Sequence, residues 1–535
     1  MSALPKSRGL VMGRRAAVVS NHPAASLAGI RVLQEGGNAV DAAVAVSLVL
    51  GVAEPFMSGL GGDGFYHFYR ASDGFGTVFN GTGPAPLGLG ALPPVTHLDK
   101  AGPLSAGTPG ALGALGQMHA AHGRLDWAGL VAPAIDLAAQ GIAVSHTYRR
   151  FCTGALMVLR ADPRSAGTYL VDGKVPALGT IIVQDKLAAS LREIAENGPD
   201  CFYRGRLAQR IAEAASASGM LFGEEDLALY EPIEQKPVSI TYRGYEIRQT
   251  PPNSVGFTLL QQLRILENFD IAALAPGSAE LVHLLVEAKK QAFLDREAFG
   301  ADPAFVPFDP DVLSQARAAA AAARIDLNRA AHVPLRRSQG GETTYFAIVD
   351  EAGDAISGIQ SLNTGFGSGV MAGDTGIVLN NRMLGWHLDA GHANVLLPGK
   401  RVRHTMNAPL LLGPEGKLWA VLGTPGADDQ VQVNMQAIVG LVDHGSDPQQ
   451  VADAPRWSSS QPGQSSKWPH EGGSGLQLEE GFDTRAIARL SSLGHDVAVC
   501  APLAGPGSLG CIRVLSNGVR MTGADPRRDG CGLAF

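Results

Sequence analysis

Residues 338–369 read SQGGETTYFAIVDEAGDAISGIQSLNTGFGSG, so two adjacent threonines, Thr343 and Thr344, stand between a polar, glycine-bearing run and an apolar segment. On one reading they are β-branched residues entering a strand, since TYFAIV has strand composition. On the other the chain is cut before Thr343, which then becomes an N-terminal nucleophile. The run before them, HVPLRRSQGG at 332–341, contains proline, two arginines and two glycines and reads as an exposed linker. The run after them, TYFAIVDEAGDAISGIQSL, reads as strand, turn and strand.

Composition narrows the setting of those threonines. A chain of 535 residues that is 45% hydrophobic can bury large cores, and length alone suggests several domains. Charged residues make up 17%, below the usual ~25%, while 67 Gly and 33 Pro imply many tight turns in a compact protein. Net charge is −7 and no Lys/Arg block could track a phosphate backbone, which argues against a nucleic-acid partner. The start, MSALPKSRGLVMGRRAAVVSNHP, lacks the apolar run of a secretory leader. The most apolar stretch, AAVAVSLVLGVA, fills only the 12 positions 42–53, short of the ~20 a membrane span needs, and is expected as a core helix. Five cysteines, Cys152, Cys201, Cys500, Cys511 and Cys531, show no CxxC spacing, so neither a zinc site nor a disulfide framework is expected. Cytoplasmic location, no metal and no cofactor follow as expectations.

Periodicity sketches the elements. SLAGIRVLQEGGNAVDAAVAVSLVLGVA reads as two helices, the first capped by Ser26 and ended at Gly36-Gly37, the second capped by Asn38. GLGGDGFYHFYR is a glycine-rich turn entering a strand, a poor phosphate loop because no GK[ST] follows. Residues 107–300 read as mostly helical, broken at TPPNSVGF, with an amphipathic helix AELVHLLVEAKKQAFLDREAF whose charges, Glu287 and Asp295 among them, are solvated or structural. An alanine-rich helix follows at 315–324. Beyond Thr343, GIVLNN, KLWAVLG and LGCIRVLS read as strands, VNMQAIVGLVDHG and FDTRAIARLSSLG as helices, and 458–474 as a flexible surface loop. Clustered strands with helices that need not alternate argue for α+β layers.

Several segments taken together resemble the γ-glutamyltransferase family of N-terminal nucleophile hydrolases. They are GGNAVDAAVA and AEPFMSGLGGDGF near the start, EAKKQAFLDREAFGADPAF mid-chain, ETTYFAIVD at the linker end, then SLNTGFGSG, GIVLNNRM, GTPGAD and DAPRW. The resemblance covers nearly the whole chain and implies a four-layer αββα sandwich. It also implies a precursor that cuts itself between Glu342 and Thr343 into a large chain, 1–342, and a small chain, 343–535, which stay associated as one unit. Thr343 would be the nucleophile and its own α-amine, with a pKa near ~7.7–8.0, the base. Ser361 stands where the family places a second hydroxyl beside the nucleophile. Gly426-Ala427 falls where backbone N–H groups of a Gly-Gly pair hold the tetrahedral oxyanion, a role that tolerates the alanine.

The departures bear on the substrate. γ-Glutamyl enzymes hold the α-carboxylate with an arginine in a stretch resembling DGRETAP, whereas this chain reads NGTGPAP with Thr82 at that position. They hold the α-ammonium with an acid in NN-x-MDD, and here NNRMLGW puts Leu384 and Gly385 at both acidic positions. Their paired serines align with His404 and Thr405 in RHTM. What remains, Asn363, Arg382, Arg403, His404 and Thr405 with Trp386 and His387 nearby, offers cations and no evident anion, which suits a small carboxylate better than a zwitterion. For Arg382 and Arg403, ion pairing within the protein is the open alternative. The expected activity is therefore a cofactor-free amidohydrolase acting on a small acid amide such as oxamate. The alternatives are a true γ-glutamyltransferase or glutathione hydrolase, a cephalosporin or glutaryl acylase-like enzyme, and a non-catalytic binding member. Expected partners are a small-molecule amide, no nucleic acid and no membrane; a homodimer stays open.

Overall fold

The computed structural model describes residues 8–91, 95–333, 342–462, 464–470 and 473–535. Two seven-stranded sheets form its centre. One runs Cys531–Ala534, Ala17–Ser20, Glu342–Val349, Ala355–Asn363, Asp63–Tyr69, Gly76–Gly81, Ile233–Gln235; the other runs Val11–Gly13, Arg520–Ala524, Gly510–Val514, Leu418–Gly423, Leu410–Leu412, Tyr245–Gln249, Val238–Tyr242. Every pairing within them is antiparallel.

Three apolar cores stack in order and make the layers visible. The middle one, with Val19, Phe65, Tyr345, Ala347, Leu410, Val421 and Ile512, is filled from the facing sides of the two sheets. The other faces of the sheets are covered by separate helical layers, one around Ala39–Ala53 and Ala111–His122, the other around Phe257–Leu266, Ala279–Phe299 and Gln430–Val442. This is the four-layer αββα sandwich. Its central strands are apolar on both faces because each sheet has a sheet on one side and helices on the other. Ala39–Ala53 is buried along almost its whole length, as an all-round apolar helix must be, and Asn38 caps it in a capping box with Asp41.

Residues on either side of the Glu342–Thr343 bond contribute strands to both sheets. The expected hairpin forms as Glu342–Val349 and Ala355–Asn363, and the helices after it as Gln430–Val442 and Thr484–Ser492. No helix among the described residues is long and apolar enough to cross a membrane.

Five expectations are corrected. The first helix, Pro23–Gln34, is capped by His22, whose Nδ1 accepts from Ala24; Pro23 fixes the first turn, and Ser26 lies inside, donating to the Cys531 carbonyl. GIVLNN makes only isolated bridges, to Gly61 and Met371, and the Asn380 side chain adds bonds to the carbonyls of Gly61 and Gly107. Residues 233–249, expected as part of a helical region, supply three strands. Helix Ala279–Phe299, expected as amphipathic, is buried along most of its length, and of the two uses expected for its charges, solvated or structural, Lys289 and Arg296 take the second. Within 458–474, expected as a flexible surface loop, the described residues Ser459, Gln461, Gln464, Ser465, Ser466 and Lys467 are buried. Its polar groups find partners there, since Lys289 Nζ donates to the Ser459 carbonyl at 2.8 Å and to Gln464 Oε1 at 2.5 Å. The expected linker lies outside the described residues from 334 onward.

Candidate active site

Thr343 sits where the pairing of its strand breaks step. Glu342 faces Asn363 and Thr344 faces Gln360, so the register shifts by one residue around Thr343. Such a bulge re-aims a side chain and is common beside active sites. The two threonine hydroxyls consequently take different surroundings. Thr343 Oγ1 donates to Ser361 Oγ at 3.3 Å, while Thr344 Oγ1 donates to Glu54 Oε2 at 2.6 Å and accepts from Asn21 Nδ2 at 3.2 Å. The Thr343 carbonyl accepts from Arg528 Nη1 at 3.1 Å. Thr344 is anchored in the fold, and Thr343 faces a hydroxyl.

A continuous polar chain runs on from Ser361. Its Oγ accepts from the Asn363 amide at 2.8 Å, and Asn363 holds a left-handed φ of 84°, a conformation asparagine tolerates. The Asn363 carboxamide donates to the Asn381 carbonyl at 2.8 Å and accepts from Arg382 Nη1 at 3.1 Å. Arg382 Nε donates to Asp63 Oδ2 at 3.0 Å, and the other Asp63 oxygen accepts from the Gly83 amide at 3.0 Å. Burial pushes the Asp63 carboxyl up despite the Arg382 charge, and burial likewise lowers the Arg382 guanidinium. Arg382 Nη2 has no partner among the described residues. His404 lies edge-on to Phe65 with Nε2 3.8 Å from Asp63 Oδ2, and neither of its ring nitrogens is hydrogen-bonded there. Burial first, then Arg382, holds His404 well below the usual imidazole range, so the ring is neutral. An unpaired N–H on a buried cation beside an unpaired imidazole is a standing demand for acceptors.

Arg403 is placed differently. It donates to Glu297 Oε2 at 3.1 Å and to His387 Nε2 at 3.4 Å, and its Nε, like Arg382 Nη2, has no partner among the described residues. Burial would raise the Glu297 carboxyl, but the Arg403 and Arg296 charges hold it well below the usual range. His387 is stacked between His392 and His470, with ring centroids 3.5 and 3.7 Å away. Thr405 is buried and its carbonyl accepts from Asn407 Nδ2 at 3.0 Å. Of the expected substrate residues, Asn363, Arg382 and His404 come together, while Arg403 turns to Glu297.

Gly426 and Ala427 adopt φ of 129° and 50°, two successive residues in the left-handed region, just before helix Gln430–Val442. A side chain at φ 50° is strained, and strain of this kind gathers where backbone groups must be aimed. The turn also lies at the electropositive end of a 13-residue helix.

The positions where γ-glutamyl contacts were expected to be lost are filled otherwise. Thr82 is fully buried, its hydroxyl donating to Asn80 Oδ1 at 2.7 Å and accepting from Asn253 Nδ2 at 3.2 Å. Leu384 joins Met383, Trp386 and Val402 in an apolar cluster.

Five residues escaped the sequence reading: Asp63, Glu54, Asn21, Arg528 and Lys467, whose Nζ donates to the Asn363 carbonyl at 3.1 Å. Only Asp63 carried a signal, an acid in a glycine-rich turn. Among the described residues two clusters have the ligand types and spacing for a metal, His283-Glu287-His495 and Glu297-His387-His392. In the first, Glu287 is neutralised by Lys290 at 2.7 Å and His283 Nδ1 is taken up by His495 at 2.8 Å. In the second, two guanidinium groups already occupy Glu297. Neither donor set suits a divalent cation.

The family model described as Gamma-glutamyltranspeptidase matches residues 25–535. The chain belongs to the gamma-glutamyltranspeptidase family. It is 39% identical to the glutathione hydrolase-like YwrD proenzyme of Bacillus subtilis (strain 168), over 98% of this chain and 99% of that one. It is 33% identical to the oxamate amidohydrolase proenzyme of Klebsiella pneumoniae, over 97% and 98% of the two chains. The crystal structure of cephalosporin acylase from Bacillus halodurans superposes with a TM-score of 0.90 at 31% identity, covering 100% of this chain and 98% of that one. A gamma-glutamyltranspeptidase-family chain on the N-terminal nucleophile hydrolase fold is an amidohydrolase or acyltransferase.

Proposed function

We propose that this protein is a self-processing amidohydrolase with Thr343 as its nucleophile and a small anionic amide, oxamate or a near relative, as its substrate. Cleavage between Glu342 and Thr343 yields the chains 1–342 and 343–535. The freed α-amine of Thr343, partly neutral at pH 7, takes the proton from Oγ1 as the oxygen attacks the amide carbonyl. Ser361 Oγ, 3.3 Å from Thr343 Oγ1, orients that attack. The Gly426 and Ala427 amides receive the oxyanion, the amine leaves with the proton, and water releases the acid from the threonine ester.

The observation that carries the substrate class is Arg382. It is connected to Thr343 through Asn363 and Ser361, it keeps Nη2 unpartnered, and neutral His404 stands beside its Asp63 partner. A substrate carboxylate meets that demand. An α-ammonium finds no matching acid, because Leu384 sits in an apolar cluster and Asp63 already serves Arg382. The 33% identity to an oxamate amidohydrolase proenzyme supports the same class. Five unpaired cysteines fit a reducing compartment, and cytoplasmic location is part of the proposal.

A panel of oxamate, succinamate, glutathione, γ-glutamyl anilide and a glutaryl amide, with release of free acid or amine followed, tests the reading. Turnover of oxamate well above the others is expected. A second reading, glutathione hydrolysis, is favoured by the 39% identity to a glutathione hydrolase-like proenzyme and wins if glutathione is the best substrate.

A further inference from the structure

Asp428 follows the strained Gly426-Ala427 pair directly, is buried, and is held from two other parts of the chain. Ser466 donates to it from its amide at 3.1 Å and from Oγ at 2.8 Å. Arg296 Nη1 donates to the same carboxylate from helix Ala279–Phe299. Arg296 has no exposure; its remaining N–H groups go to Glu297 Oε1 at 2.9 and 2.8 Å and to the Gln464 carbonyl, and its guanidinium lies 4.6 Å from the Phe293 ring centre. Glu297 is itself fixed by Arg403 and His392 at 3.1 and 3.3 Å.

We infer that Arg296 and Asp428 form a positioning pair for the oxyanion turn. The inference rests on the proposed role of the Gly426 and Ala427 amides. Two physical needs meet at this pair. Two successive left-handed residues, one of them an alanine, relax toward ordinary backbone angles unless the next residue is pinned, and amide donors must stay within about 0.5 Å of the developing charge to be effective. A carboxylate one residue from a forming oxyanion also opposes it by like-charge repulsion unless a cation neutralises it in place. Arg296 does both, and a permanently charged, planar guanidinium suits a buried carboxylate better than an ammonium would. Arg296 lies before the Glu342–Thr343 bond and Asp428 after it, so the pair makes the small chain's catalytic turn dependent on the large chain.

The test uses purified wild type, Arg296→Gln, Asp428→Asn and the double variant, with steady-state kinetics on the best amide of the panel and a thermal melt of each. Arg296→Gln should lower kcat roughly 30- to 300-fold while KM stays within about threefold, because the turn acts on the transition state and not on substrate binding. Asp428→Asn should lower kcat roughly tenfold, and the double variant should be no worse than Arg296→Gln alone, since the second change removes the charge that the first leaves uncompensated. Added guanidinium should restore part of the Arg296→Gln loss. Variants that melt as wild type does and keep kcat within twofold would overturn the pair, as would losses that simply multiply. If Arg296→Gln does not fold, Asp428→Asn, which keeps the side chain's shape, decides the matter alone. Failure of the proposed function is separate: wild type would then turn over no amide of the panel.

Discussion

Arg382 is joined to Thr343 through Asn363 and Ser361, whereas Arg403 donates from Nη1 to Glu297 Oε2 at 3.1 Å; among the described residues each keeps one nitrogen without a partner, Nη2 in Arg382 and Nε in Arg403. The two arginines are equivalent candidates in the sequence and unequal in the structure. Arg382→Met should lower kcat/KM on the anionic amide by roughly ten- to a hundredfold, matching ~1.5–3 kcal/mol for a hydrogen bond to a charged group. Arg403→Met should act mainly through stability, by leaving the buried Glu297 with fewer donors. Kinetics and melts of the two variants check this, and an Arg382→Met enzyme with unchanged kcat/KM would remove the carboxylate anchor.

Self-cleavage is expected to divide the 55.6 kDa chain into pieces of roughly 36 and 20 kDa, in proportion to residues 1–342 and 343–535. Thr343→Ala should remain whole. N-terminal sequencing of the smaller piece should begin at Thr343, and wild type that stays intact through long incubation would refute the nucleophile. Arg382→Met should still be cut, because cleavage acts on the chain's own peptide and needs no substrate carboxylate.

Thr344 offers a control beside the proposed nucleophile. Its hydroxyl gives Glu54 a hydrogen bond at 2.6 Å and accepts one from Asn21, so Thr344→Val removes both. A loss of stability of about 1–3 kcal/mol is expected from those buried groups. Denaturant unfolding of this variant in the Thr343→Ala background measures it without interference from cleavage.

Ala427 at φ 50° makes a prediction of the opposite sign. Ala427→Gly should relieve left-handed strain of about 1 kcal/mol, offset in part by the greater freedom of glycine in the unfolded chain. A melting temperature equal to or above that of wild type is expected, and Ala427→Val should fall clearly below it.

His67 is fully buried, its Nδ1 2.9 Å from the Ala408 carbonyl, and burial lowers its pKa to about 4 against an ordinary 6.5. Below pH 6.5 the unfolded chain takes up a proton that the native state refuses. The associated stability is therefore present above pH 6.5 and is lost as pH falls toward 4, by about 3 kcal/mol at most. Unfolding measured from pH 7.5 to 4.5 should show a slope to which His67 contributes, and His67→Gln should reduce it by that share while other buried histidines held low, such as His404 and His495, keep theirs.

The layers were legible because burial on both faces leaves a strong mark: the apolar run at 42–53 and the TYFAIV strand admit few other uses. The family, and with it the proposed nucleophile, was legible from the order of the motifs. What composition could not show was which polar residues find buried partners. On a helix read as amphipathic, Lys289 and Arg296 could equally be solvated or structural, and 458–474 looks like open loop, because serine, glutamine and lysine are ordinarily wet. Each is buried against the other, a pairing of segments some 170 residues apart, as the Lys289 to Ser459 bond shows. Arg382 and Arg403 posed the same problem. Their types were plain, but only the structure shows that Arg382 is joined to Thr343 through Asn363 and Ser361 while Arg403 is turned to the distant Glu297.

Both sheets draw strands from each side of the Glu342–Thr343 bond. In the uncut chain, assembling them is a unimolecular event whose midpoint does not depend on dilution. Under the proposed cleavage the same sandwich would be held by two separate molecules, and its reassembly would become second order, each chain lacking the neighbours its own strands need. A processed enzyme would thus inherit an architecture it could not readily rebuild, and its persistence would be a matter of unfolding rate more than of equilibrium.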